Sequence, residues 1–520
     1  MYPDDITHVG ISVGPKFPVR PERYAGIERD AADLAVGLAL QGMHVHVMAS
    51  GDSRIAEEHP NITLHPIVPV AISKLNLSST EYYEAETHAF FRTIETIRKL
   101  GGRCMDVVDL RWDHPGIVRN INHMDFRYGF PIIASLSCRP DAYVRAVEEY
   151  RYQAHNACIH PTALSNAHRE ALLAVSRGDH YGTRRDIEVM PFGVSFKEAE
   201  FSAESLAQSQ EAPNHPLLCA LKNSGKDYLL HAATINKEKG QASTIALFKE
   251  AQKAGLDDAV LVLAGVPNQQ SPAAIDYWHT EVEPHINGVD IVYAGELDEA
   301  EKWEFMKFAR ATVFCSGMET PYTEAYGRVL AESAGSGTPV VGIKTDTFKE
   351  VIKEGTTGIG FTTIEEGAQK IIDITSLDRT ACKDYARSHM SNDGFITQMG
   401  KLCTYMAESR KYFFRDYDDR GAPPNYEVEL SLISRGSLEE AQAVYMTTSQ
   451  ERRRVDASSP RIHPTRHSSG NRPHLEPSSI IDHYGLDVSL SAAEAERLVR
   501  NCSGTCRGHS FFDEYTIVSG

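Results

Sequence analysis

Apolar positions in the first two hundred residues fall into short continuous runs separated by stretches with helical spacing. Ile6–Val13, Val45–Ala49, Val107–Leu110, Pro131–Leu136 and Ile187–Met190 read as buried strands, and Ala31–Gln41 as an amphipathic helix. Nearly unbroken apolar strands alternating with helices imply parallel βαβ units and a doubly wound sheet. Around residues 200 to 225 the pattern dissolves into Ser, Glu, Gln, Asn and Pro, which reads as a linker. A second series then begins: a strand at Tyr228–Ala233, a helix at Ala242–Ala254, and a strand at Ala259–Ala264 that ends in Gly265. Strands at Ile291–Ala294, Thr312–Cys315 and Pro339–Ile343 follow. The pattern predicts two Rossmann-like α/β domains, 1–205 and 206–410, with the ligand site in the cleft between them. In 411–520 the character changes. Residues 448–478, with Arg452-Arg453-Arg454 and many Ser, Pro and His, are expected to be disordered.

Composition narrows the function classes. The 520 residues are 42% hydrophobic and 24% charged, ordinary for a soluble globular chain and long enough for two cores. The formal net charge of −18 argues against a general nucleic-acid or anionic-membrane binder, because phosphate contact needs basic surface. No apolar run approaches the roughly 20 residues that span a bilayer. The first residues lack the basic-then-apolar order of a signal peptide. Nine scattered cysteines fit reduced thiols. The expectation is a cytoplasmic protein of unknown oligomeric state.

The chemistry concentrates in Tyr322-Thr-Glu324-Ala-Tyr326-Gly327-Arg328-Val329-Leu-Ala-Glu332, followed by Ser-Ala-Gly-Ser-Gly337-Thr-Pro339-Val-Val. Gly327 sits where a loop turns into a helix, and Gly335, Gly337 and Pro339 end that helix before a strand. A helix opening on glycine presents free backbone N–H groups at its positive end, a seat for a diphosphate. Glu332, about one and a half turns in, can accept hydrogen bonds from the two hydroxyls of a ribose. Glu324, still in the loop, can reach the hydroxyls of a sugar beyond the diphosphate. Read alone, both acids would pass for solvated surface glutamates. No metal site is expected: His44-Val-His46 alternates along a strand, and Cys502-Ser-Gly-Thr-Cys506 is a pair without a partner pair.

The two acids with seven residues between them, within E-x-Y-G-x-x-x-x-E and followed by G-T-P-V-V, resemble the retaining glycosyltransferases of family 4, which have the GT-B fold. Phe348-Lys-Glu350-Val-Ile-Lys-Glu-Gly355-Thr-Thr-Gly358 is similar to the family's continuation. Ile235-Asn-Lys237-Glu-Lys239-Gly240 is similar to its lysine loop, and Leu263-Ala-Gly265 to its next strand. Pro21–Arg29 resembles the glycine-rich loop after the first strand, and Pro191-Phe-Gly193-Val194 the strand end before the linker. The likeness covers roughly 1–405 and is stronger in the second half. It implies that Lys239, the N–H groups around Gly327 and Val329, and Gly26 of the opposite domain stabilise the leaving diphosphate, with Tyr326 lining the donor site. It also implies that no metal or other cofactor is needed, and that the donor phosphate takes the acceptor's proton in a front-face attack. The motifs look most like bacterial UDP-glucose-using members, with GDP-mannose or UDP-N-acetylglucosamine next. The absence of a basic amphipathic run in the first domain points to a soluble acceptor.

Four positions depart from that pattern. Thr234 stands where the family commonly has arginine, so Arg328, or else Lys237, is expected to supply the missing diphosphate contact. Ser137-Cys-Arg139 replaces a histidine beside the donor sugar, leaving Ser137 or Arg139 to take over. Asp109-Leu-Arg111-Trp-Asp113-His114 replaces the usual His-x-His, so Asp109, Arg111 and Asp113 are expected to face an unusual acceptor. Ala25 replaces a glycine of the first loop, where a Cβ restricts positive φ. These departures leave open a non-catalytic nucleotide-sugar sensor or interaction protein of the same fold. Epimerase or phosphorylase chemistry on that fold is a third reading, although no Schiff-base lysine signature accompanies it.

Overall fold

The computed structural model describes residues 7–21, 25–100, 105–111, 131–136, 159–175, 187–196, 213, 215–268, 271–322 and 324–413. Its strands form two wholly parallel sheets. The first has seven strands in the order β3-β2-β1-β4-β5-β6-β7: β1 His8–Ser12, β2 His44–Ser50, β3 Ile62–Val68, β4 Val107–Leu110, β5 Ile132–Ser135, β6 Ile159–Ala163 and β7 Glu188–Val189. The second has six in the order β10-β9-β8-β11-β12-β13: β8 Asp227–Ala232, β9 Ala259–Ala264, β10 Ile291–Gly295, β11 Ala311–Phe314, β12 Val340–Ile343 and β13 Gly358–Phe361. This is the GT-B architecture of two Rossmann-like units.

The central strands are buried along their whole length. Every residue of β1 and of β9 is inaccessible or nearly so, as expected where helices cover both faces of a parallel sheet. On one face of the first sheet Val9, Ile11, Val45 and Val47 pack with Ala31, Leu34 and Leu38 of the helix Gly26–Leu40. On the other, Val108 and Ile132 meet Phe90, Ile94 and Ile97 of the helix Ser79–Leu100. The second sheet packs in the same way against the helix Gln241–Lys253 and against the helix Glu299–Phe308. Part of the stretch read as linker is ordered: Pro216–Asn223 is a helix, begun by a proline at its first turn and by the His215 side chain accepting from the Leu217 N–H. The rest of that linker lies almost wholly outside the described residues.

The chain returns to the first domain through the helix Asn392–Phe413, and the division drawn at 410 runs through it. Phe395, Met399, Cys403 and Met406 join the core built on Val9 and Leu38. Beside it the two chain crossings between domains touch directly, with Val194 bridged to Ser391. The Val194 N–H donates to the Met390 carbonyl at 2.8 Å, and the Asn392 N–H to the Val194 carbonyl at 3.2 Å. A Cβ at Gly193 would lie 2.1 Å from the Asn392 nitrogen, so glycine is required there for the crossings to pass. Among the described residues no helix is long and apolar enough to cross a membrane. Residues 414–520, including the region expected to be disordered, lie outside the described residues.

Candidate active site

The helix Arg328–Gly335 begins on Gly327, whose φ of 74° lies in the left-handed region that a glycine enters without strain. The helix therefore opens with backbone N–H groups that its own residues leave unsatisfied. Ahead of it the loop brings Glu324 against Lys239: Nζ donates to Glu324 Oε2 at 2.5 Å and to the Tyr322 hydroxyl at 3.2 Å. Thr347 Oγ1 donates to the Glu324 carbonyl, which holds the loop down. Lys239 is placed by a single 3₁₀ turn, Lys237–Lys239, in which Asn236 Oδ1 accepts from the Lys239 N–H at 3.0 Å. Gly240 follows at φ 73°, where a Cβ would meet the Cys315 carbonyl oxygen at 2.4 Å. Two motifs far apart in sequence thus bring an ammonium and a carboxylate together beside a helix N-terminus.

Glu332 lies one turn into the helix and is 5% exposed. Its Oε1 accepts from Lys302 Nζ at 2.8 Å and from Arg328 Nε at 3.3 Å. Burial alone would push this carboxyl up, but the two cations outweigh it and hold it well below the usual carboxylate range. Lys302 also pairs with Glu299 at 3.0 Å. Glu299 reaches across the cleft to Arg29 of the first domain at 3.0 Å, and Arg328 pairs with Asp30 of the same helix. Arg29, Glu299, Lys302, Glu332, Arg328 and Asp30 thereby form one belt of alternating charge joining the two domains.

The other expected site residues divide into three groups. Tyr326 is buried in the core, and Val329 packs partly against it. Thr234 uses its carbonyl to accept from Gln241 Nε2 at 3.0 Å, while Lys237 is exposed. Gly26 opens the helix Gly26–Leu40, and the space where a Cβ would project is clear for 4 Å. Ala25 has φ −172°, extended backbone that any residue adopts, so its Cβ imposes no strain. Arg328 was expected to turn to a diphosphate. Its guanidinium is instead occupied by Glu332 and Asp30.

Asp109 and Arg111, expected to face an acceptor, are fully buried and bonded to each other, Nε to Oδ2 at 2.6 Å. Ser135 Oγ donates to the second Asp109 oxygen at 2.5 Å, and the Arg111 guanidinium lies against the edge-to-face pair Phe192 and Phe395, 5.1 and 5.3 Å from their centroids. Both ends of that pair are closed by the crossing segment and the returning helix. Ser137, Arg139 and Asp113 lie outside the described residues. So do Glu22, Arg23 and Tyr24 of the first loop.

Residues 220–389 match the family model described as glycosyl transferases group 1. That stretch holds Lys239, Lys302, Glu324, Gly327 and Glu332. The protein is a glycosyltransferase by this domain. Solved structures share the fold of the glycosyltransferase across both domains. Sucrose-phosphate synthase from Thermosynechococcus elongatus is 15% identical with a TM-score of 0.57, over 78% of this chain and all of that one. Anabaena HepE in complex with UDP-glucose is 13% identical with a TM-score of 0.52, over 77% and 99%. A UDP-forming α,α-trehalose-phosphate synthase from Burkholderia xenovorans is 12% identical with a TM-score of 0.51, over 80% and 100%. No curated protein sequence matches the chain.

Lys302, Glu299, Arg29 and Asp30 were not read from the sequence as site residues. The only local trace is the capping box Asp298–Glu301, which marks where the Lys302 helix begins. Nothing in the sequence marks which way Lys302 points.

Proposed function

We propose that this glycosyltransferase moves a hexose from a nucleotide sugar to a soluble acceptor, with retention at the anomeric carbon and without a metal. The reading rests chiefly on Lys239 lying 2.5 Å from Glu324 at the mouth of the Arg328–Gly335 helix. In it, the ammonium and the helix N–H groups receive the charge that develops on the leaving diphosphate, the kind of stabilisation that is usually the largest catalytic contribution. Glu324 accepts from hydroxyls of the transferred sugar, and Glu332 from the nucleoside ribose. The acceptor hydroxyl attacks the anomeric carbon on the face from which the diphosphate departs, and a phosphate oxygen takes its proton. UDP-glucose is the first donor to try, because HepE, which shares the fold, is seen with that compound.

Incubation with UDP-glucose, GDP-mannose and UDP-N-acetylglucosamine, with released nucleotide and thermal shift both recorded, tests the assignment. The true donor should stabilise the protein by an amount that grows with the logarithm of its concentration over its dissociation constant, and it should be hydrolysed slowly. Lys239→Ala should lower turnover by roughly 100-fold or more. Stabilisation without any turnover across a broad acceptor panel would reassign the protein as a nucleotide-sugar sensor, and no binding at all would end both readings.

A further inference from the structure

Lys302 lies outside every motif described above, yet it is the hub of the charged belt. It stands on the helix Glu299–Phe308, one turn after Glu299, with its ammonium over the Trp303 ring, 5.5 Å from the centroid. Its ammonium touches two carboxylates, Glu332 at 2.8 Å and Glu299 at 3.0 Å. Arg328 approaches Glu332 as well, and both cations converge on the same atom, Oε1. Oε2 is the atom they leave. A carboxylate pinned through one oxygen by two cations from two helices has lost its rotational freedom, and its second oxygen is aimed by the pinning.

We propose that Lys302 is a positioning residue of the donor site: by clamping Oε1 it presents Glu332 Oε2 to the hydroxyls of the donor's ribose. This rests on the ribose role given to Glu332 above. A surface ion pair would not serve, because exposed pairs hold neither partner in one geometry. Here Glu332 is almost wholly inaccessible, and Lys302 is itself anchored at the opposite side by Glu299, which is paired to Arg29. Burial disfavours the ammonium, but Glu332 and Glu299 overcome that and raise its pKa, so the clamp stays charged through the physiological range.

The test compares a ribonucleotide with its deoxy counterpart, using UDP and 2′-deoxy-UDP, and GDP and 2′-deoxy-GDP, by calorimetric titration. The wild type should prefer the ribo form of its own nucleotide by roughly tenfold or more, the range of one hydrogen bond to a charged group. Lys302→Met should bring that ratio close to one, and Lys302→Arg should restore most of it. A merely structural lysine would change the melting temperature and leave the ratio alone. Should Lys302→Met not fold, Lys302→Gln is read in the same way. A wild-type ratio far from one that survives in the folded variants overturns the proposal. A wild-type ratio near one for both nucleotides overturns the ribose reading of Glu332 itself, and the clamp with it.

Discussion

Arg111 is a charge that folding has sealed against a pair of phenyl rings. One carboxylate, Asp109, balances it, and Ser135 fills that carboxylate's other oxygen. Its two terminal guanidinium nitrogens are buried without hydrogen-bond partners among the described residues, and the rings of Phe192 and Phe395 supply further attraction. Removing one member of such a pair strands the other in a dry interior. Arg111→Met is therefore expected to cost about 3–5 kcal/mol in denaturant unfolding, and Asp109→Leu added to it should recover a large part. An equal or larger loss in the double variant would contradict this account. The same pair shows what residue-level reading of the sequence could not supply. Aspartate and arginine two positions apart at a strand end look like site residues, until the crossing segment with Phe192 and, nearly 300 residues later, the returning helix with Phe395 close over them. Glu324, Gly327, Glu332 and Lys239 were legible because each belongs to a local motif whose backbone geometry follows from its own glycines. Lys302 and Asp30 were not, because their roles depend on which helices converge.

At the level of elements, legibility followed burial on both faces. β9 is six apolar residues without interruption, and its bounds could be read directly, as could those of β4. β3 was missed because it is the edge strand: Ile-Thr-Leu-His-Pro-Ile-Val alternates in polarity, and its proline is tolerated only where no neighbour needs the missing N–H. β13 was missed because two of its four residues are glycine. The helix Ser79–Leu100 was also missed, and it covers a row of histidines running across three strands. His8 Nδ1 lies 3.1 Å from His46 Nε2, His46 Nδ1 lies 2.9 Å from His65 Nε2, and the His8 and His44 rings stack at 5.0 Å. Burial lowers the pKa of His8 and His44 and brings His65 down to about 4. The unfolded chain therefore binds more protons than the fold between about pH 6.5 and 4, so stability should fall as pH drops through that window and be complete above it. His65→Gln should flatten the fall in melting temperature between pH 7 and pH 5. An unchanged slope would place the acid sensitivity elsewhere.

Across the whole molecule, the two domains are held by carboxylates as well as by apolar packing. Besides the belt around Lys302, Glu350 of the second domain caps the helix Asn166–Val175 of the first. Its oxygens accept from the Asn166 N–H at 2.8 Å, from Asn166 Nδ2 at 3.0 Å and from the Ala167 N–H at 2.5 Å, a favourable seat for a negative charge. Glu350→Ala should leave each domain folded but widen the nucleotide-free protein, read as a larger radius of gyration in X-ray scattering. A radius equal to the wild type's would deny these contacts any part in closure. Where the domains meet at the other end, the chain crosses twice, and the crossings are tied backbone to backbone at Val194, Met390 and Asn392, with only the hydrogen of Gly193 between them. Two strands of chain bonded this closely behave as a single axle. One domain can swing about them but has little freedom to slide, and a small turn there is levered into a much larger displacement at the rim, where Glu350, Asp30 and Arg328 sit. The grip on a ligand in the cleft is thus geared to a torsion of a few backbone angles, and a methyl group on residue 193 would seize the bearing without touching the site.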